Sequence, residues 1–234
     1  MQLSELNAHR HTAATRFGEI SYLDLGAGPT ALFVHGIATN AYLWRHVMDA
    51  LSGQRRCIAI DLPLHGQSPV TAEQDLSLAA LAAGLDDFCE VLGLTGIDLV
   101  ANDTGGAIAQ ISFASGYEHV DLIDRDVIRS YLQPCFGTIE RARQFERLLV
   151  SLRVGDLQAV MPQLGELTVP TLVVWGTGDA FFDVSWAYWL RDTIPGTTRV
   201  VTVDGARMFF PEERPMDLVP HLEQHWAAVG AARA

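Results

Sequence analysis

Cysteine is scarce in this 234-residue chain. There are three, Cys57, Cys89 and Cys135, far apart and without CxxC or Cys/His metal spacing. That pattern argues against a disulfide framework or a zinc site and suits a reducing compartment. Cys57 and Cys89 fall in apolar stretches and read as small core residues. Basic charge is also scarce: 16 Lys and Arg are scattered against 28 Asp and Glu, giving a net charge of −12 and a pI near 4.9. Such a balance favours solubility and argues against nucleic acid or an anionic membrane as partner. No apolar run approaches the length of a membrane span. The opening MQLSELNAHRHTAATRFG has no apolar h-region of the kind a signal peptide needs. Internal repeats and low-complexity blocks are missing as well. These absences lead to the expectation of a soluble cytoplasmic protein; they leave the oligomeric state open.

What is present is a core. Hydrophobic residues make up 49% of the chain, enough for one sizeable domain. EISYLDLG (19–26) alternates and ends in the turn GAGP, as one strand of an opening hairpin would. TALFVHG (30–36) is a continuous apolar run, typical of a strand buried on both faces, RCIAIDL (56–62) reads as a third strand, GIDLVAND (96–103) as the next buried strand, and TLVVWG (171–176) and the run over 197–205 as two later strands. Helical spacing follows in YLWRHVMDALS, LSLAALAAGLDDFCEVLGL (76–94), GGAIAQISFAS and the closing LVPHLEQHWAAV (218–229), after which the small-residue tail is expected to fray. Strands alternating with helices predict an α/β fold with a mostly parallel sheet.

The segment between residues 120 and 168 differs. RDVIRSYLQP, TIERARQFERLLVSLR and DLQAVMPQLGEL read as helices, with Thr138 capping the second and Arg141 and Arg143 on its polar side. The expected organisation is a core formed by 1–116 and 169–234, with a shortened helical cap at 117–168. VDLID (120–124) is either a short strand or a lead-in for which Asp124 is the N-cap; if it is no strand, the sheet lacks one.

Four features stand at strand ends in a fixed order: FVHG, DLPLHGQS, the turn Ala101-Asn102-Asp103-Thr104-Gly105, and GTGD. Together they resemble the α/β-hydrolase superfamily over nearly the whole chain. HGIATNAYLWRHVMDAL, CIAIDLPLHGQS and ANDTGG bring the resemblance closer to the haloalkane dehalogenase branch, with the epoxide hydrolases as near neighbours. The resemblance implies an α/β-hydrolase fold with Asp103 as nucleophile on a tight strand-to-helix bend. It also implies Asp179 at the acid position, and the backbone N–H groups of Ile37 and Thr104 as oxyanion donors. A carboxylate nucleophile serves displacement at an sp³ carbon or an epoxide, through an alkyl-enzyme ester. Asp103 also reads as a helix N-cap, Asp179 as a loop residue and Asp183 as its competitor. His35 and His65 match structural positions that brace loops.

The pattern is broken at three places. Counting back from Glu212-Glu213-Arg214-Pro215 puts Met208 where the family has its histidine base, with Arg207 beside it. A thioether has no useful basicity and a guanidinium stays protonated. His221 and His225 fall in the closing helix, and His119 is the histidine best located to serve from the cap. At the halide-binding positions stand Thr104, a weak donor, and Ile37, whose side chain donates nothing. Tyr117 and Tyr131 lie in the region where epoxide hydrolases keep their lid tyrosines, though both also suit packing. The cap is short. Of the late aromatics, Phe181 and Phe209 are the pocket candidates, beside the acid and base positions.

The expected function is therefore hydrolysis of a small apolar alkyl halide or epoxide by Asp103, with turnover limited by Met208. The small apolar substrate is the expected partner, and no metal or organic cofactor is implied. Two other readings stay open: a ligand-binding homologue without chemistry, and a lyase or isomerase using Asp103 as a base.

Overall fold

The computed structural model describes residues 3–103, 117–119, 124–152 and 154–233. They fall into two compact units, one containing residues up to 109 with 122–152, the other 110–121 with 153–234. Among the described residues no helix is long and apolar enough to cross a membrane.

The first unit is built on a five-stranded sheet. Its strands are β1 (Arg10–Thr15), β2 (Gly18–Leu25), β3 (Thr30–Val34), β4 (Arg56–Ile60) and β5 (Asp98–Ala101), in the spatial order β1-β2-β4-β3-β5. β1 and β2 form the antiparallel hairpin; β3 pairs in parallel with β4 on one side and β5 on the other. The expected runs 19–26, 30–36, 56–62 and 96–103 thus all contain strands. β1 was not anticipated, because RHTAAT lacks apolar alternation and buries only Ala13.

Alternate residues of the strands face opposite sides of the sheet. On one side Ile20, Tyr22, Leu32, Ile58 and Ile60 pack with Phe88 of helix Leu78–Val91. Ser77 starts that helix by accepting the Ala80 N–H. On the other side Phe33 meets Trp44, at the end of the short 3-10 turn Ala41–Trp44 that leads into helix Arg45–Leu51. Helix cover on both faces explains why Ala31, Leu32 and Phe33 are fully buried. Each such Leu or Phe contributes roughly 1.5–3 kcal/mol.

Helices Arg125–Phe136 and Ile139–Ser151 belong to the same unit. Asp124 caps the first and Thr138 the second, as expected. The first continues two residues beyond Pro134, where the sequence suggested a stop. Proline has no N–H to give the carbonyl four residues back. That carbonyl, of Ser130, accepts instead the side-chain amide of Asn40 at 2.9 Å. Their inner face closes a second apolar cluster with Ile37, Leu64, Leu76, Cys135, Phe145 and Leu148. The possible strand 120–124 lies, except for Asp124, outside the described residues, as does the helix expected over 105–115.

The second unit contains β6 (Thr171–Gly176) and β7 (Thr197–Val203), paired in parallel and connected through helix Ser185–Thr193. The third helix expected in the cap segment is Val154–Leu164, and the closing helix runs Val219–Arg233. Its alanine-rich end stays helical rather than fraying, consistent with the high helix propensity of alanine.

The parallel register sets Val34 beside Ile60 and Ala101. The loops after β3, β4 and β5 therefore leave the sheet side by side, at the carboxyl ends where α/β folds place their sites. One carboxylate ties two of these loops together. Asp61, whose side chain is 0% exposed, accepts the Ala41 N–H at 2.8 Å, the Gln67 N–H at 2.9 Å and the Arg10 guanidinium at 2.6 Å. Gly66 lies against it: a Cβ there would fall 2.2 Å from the carboxylate, and its φ of +51° favours glycine. Replacing Asp61 by alanine should strand the nearly buried Arg10 charge and lower the unfolding free energy by about 3–5 kcal/mol in urea denaturation. A loss below about 1 kcal/mol would show that the carboxylate does not organise the loops.

Candidate active site

Asp103 lies two residues beyond the end of β5. Asn102 still donates to Val34 O at 3.2 Å; at the next residue the backbone turns into the left-handed region, with φ +52°. Few residues other than glycine adopt that conformation, and Asp and Asn are among those that tolerate it best. A non-glycine residue held so at a strand end is a strained conformation that its surroundings have to support.

The side chain comes to rest on Gly36. A Cβ at position 36 would lie 2.5 Å from Cβ of Asp103 and 2.7 Å from Oδ2, so only glycine permits this approach. The half-buried Asp103 and the loop after β3 thus form one packed contact. In that loop Ile37 turns its side chain into the apolar cluster below the two cap-segment helices. Its backbone N–H has no hydrogen-bond acceptor among the described residues. Thr104, the other expected donor, lies outside the described residues.

Two buried histidines hold the loop in shape. Leu62 N–H donates to Nε2 of His35 at 2.9 Å, which leaves the proton on Nδ1 to bond Gly36 O at 2.6 Å. Thr39 Oγ1 donates to the same carbonyl at 3.1 Å. In the same way Ala38 N–H donates to Nε2 of His65 at 3.2 Å, while Nδ1–H bonds Pro63 O at 3.0 Å. Burial pushes both imidazoles down, His35 to about 4 and His65 to about 3. Each has its basic nitrogen committed to a backbone N–H, so these are braces, as the sequence suggested, and not proton acceptors.

The other expected site residues belong to the second unit. Oδ1 of Asp179 accepts the N–H groups of Phe181 at 2.8 Å and Phe182 at 3.1 Å, closing the turn after β6. Asp183 accepts the Ser185 N–H at 2.9 Å at the start of the next helix, and this bonding with Ser185 lowers its pKa. Phe181 is half-buried. Met208 is buried, and so is Phe209, whose ring lies 4.9 Å from that of Tyr117.

Tyr117 is a packing residue with a polar tip. It is 1% exposed, and its hydroxyl donates to the buried Glu212. Glu213 accepts the N–H groups of Glu118 and His119, and Arg207 donates to Tyr117 O at 3.0 Å. The Glu212-Glu213 pair thus anchors residues 117–119. The His119 ring is largely exposed, beside Glu118 at 3.7 Å. His221 O accepts from Arg199, and the His225 ring lies 3.5 Å from Thr198 Oγ1. Tyr131, in the first unit, is fully buried. Among the described residues no group of three or more His, Cys, Asp and Glu could hold a metal.

The described geometry is an aspartate just beyond the carboxyl end of a parallel strand, in contact with a glycine in the loop of the neighbouring strand. The family model of the alpha/beta hydrolase fold matches residues 29–158, and the chain belongs to that family. Among its relatives are a haloalkane dehalogenase of Mesorhizobium japonicum, 38% identical over 91 residues, and an epoxide hydrolase of Caballeronia sordidicola, 27% identical over 187 residues. These stretches cover 38% and 74% of this chain but 29% and 54% of the two enzymes, so the chain spans much less than the whole of either relative. A crystal structure of a loop variant of a haloalkane dehalogenase from Bradyrhizobium elkanii shares the fold with a TM-score of 0.76. It is 20% identical, covering 96% of this chain and 98% of that one.

The histidine braces generate a pH dependence. Both folded-state values lie below the ordinary imidazole value near 6.5, so below that pH the unfolded chain holds more protons than the folded one. Their contribution is complete above about pH 7. It is lost as the pH falls from about 6.5 towards 4, by on the order of a few kcal/mol in all. Urea denaturation at pH 7 and pH 5 should record the loss, and His65→Gln should flatten the slope. Equal stability at the two pH values would contradict the assignment.

Proposed function

We propose that Asp103 is the nucleophile of a hydrolase acting on a small apolar alkyl halide or epoxide. The observation that carries this reading is the left-handed backbone at Asp103, with its carboxylate packed on Gly36. A helix N-cap at that position would have extended backbone and needs no such contact. The relatives named haloalkane dehalogenase and epoxide hydrolase point to the same electrophiles.

In the proposed reaction a carboxylate oxygen of Asp103 forms a bond to carbon. The carbon–halogen bond breaks and its electron pair leaves with the halide; in an epoxide the ring oxygen takes the pair and then a proton. The product is an ester of Asp103. Its hydrolysis adds water at the carbonyl carbon and develops negative charge on the carbonyl oxygen, which the N–H groups of Ile37 and Thr104 would receive. The resemblance would give Asp179 the acid position and Phe181 and Phe209 the apolar lining. Deprotonating the water needs a base, and Met208 at that position has none to offer. The ester is therefore expected to form and persist.

The test is intact-protein mass spectrometry after incubation with short bromoalkanes and epoxides. A single alkyl adduct should appear, map to Asp103 and release one bromide per chain. Asp103→Asn should abolish it; Met208→His should clear it and release bromide repeatedly. The absence of adduct, halide and diol with every compound would sink the reading. It would leave the second one, a binding protein without chemistry, which the methionine at position 208 favours.

A further inference from the structure

The first unit contains a concavity of about 410 Å³, none of whose described lining residues has a part in the proposed chemistry. Its size falls in the range of small-molecule pockets. Arg10, Tyr42, Gln67, Gln133, Pro134 and Arg141 contribute to its walls, and none of the described residues lining it is acidic.

The two arginines differ. Arg10 is neutralised by Asp61 at 2.6 Å and lies over the Tyr42 ring, 5.1 Å from its centroid. Arg141 has no such partner: among the described residues its guanidinium makes no ion pair and no hydrogen bond. It is nevertheless half-buried. The local sequence puts it there. The helix Arg125–Phe136 ends at Gly137, whose N–H closes on Gln133 O at 2.8 Å, and Thr138 caps the next helix by accepting the Arg141 N–H at 3.1 Å. Arg141 thus stands in the first turn of helix Ile139–Ser151, where the amide ends add to its positive field. The chain carries a net charge of −12, yet among the described residues no carboxylate pairs with this guanidinium at the wall of the concavity.

We infer that this concavity binds a small organic monocarboxylate through Arg141. The planar guanidinium fork matches a carboxylate in two parallel hydrogen bonds. One uncompensated cation suits one negative charge; a phosphate dianion would bring a second into an acidic protein. The side-chain amides of Gln67 and Gln133, which make no hydrogen bond among the described residues, can meet polar groups on the rest of the molecule, and the Pro134 ring and Tyr42 offer it apolar surface. The inference is independent of the role assigned to Asp103.

Titration of the full chain with benzoate, benzamide and inorganic phosphate tests it, by calorimetry and by amide chemical shifts. Benzoate should bind and shift the amides of Gln133 and Gly137. Arg141→Gln should weaken binding about tenfold or more, the loss of a charge-assisted pair, without changing the denaturation midpoint. Benzamide, with the same ring and no charge, should bind weakly. Failure of benzoate to bind, equal binding by Arg141→Gln, equal binding of benzamide, or tighter binding of phosphate would each overturn the assignment.

Discussion

The buried carboxylate of Asp61 is the contact on which the first unit's working edge depends. Its two oxygens accept from the loop after β3, from the loop after β4 and from Arg10 on the opening hairpin. A buried charge is tolerated only when it is paired and fully hydrogen-bonded, and this one satisfies its partners as they satisfy it. Ser68 extends the link, donating to Asp61 O while accepting the Ser21 N–H. Three segments distant in sequence are held together, and the loop of Gly36 is one of them.

That fixed loop gives Asp103 its setting. A left-handed aspartate is a costly conformation, held only where the surroundings over-determine it. Here the surroundings are Gly36, the parallel pairing of β3 with β5, and the carbonyl of Gly36 held by His35 and Thr39. The histidines of this edge are spent on shape. Their basic nitrogens receive backbone N–H groups, and burial keeps them neutral. Neither imidazole keeps a free basic nitrogen.

The two helices after Asp124 show how a helix defect becomes a tertiary link. Pro134 deprives Ser130 O of its helical donor, and Asn40, itself capping the turn Ala41–Trp44, supplies one. The same stretch ends at Gly137 and Thr138, and the break sets Arg141 against the concavity rather than among carboxylates.

The amino-acid sequence by itself determined the strand and helix pattern wherever one face or both faces are apolar. Burial imposes periodicity, and β3, β4, β6 and the helix capped by Thr138 carry it plainly. It also pointed to the histidine braces, because a His-Gly pair is a local signal. The polar strand β1 escaped that reading, since an edge strand with one buried residue has no pattern to show. So did the helix beyond Pro134, whose missing donor is no cost once Asn40 reaches its carbonyl. Only the tertiary structure decided that Tyr117 packs on Phe209 and bonds Glu212, that Asp61 gathers three segments, and that Arg141 lacks a carboxylate partner among the described residues. Each of these depends on residues tens of positions apart meeting through space, and the spacing of one sequence holds no record of such meetings.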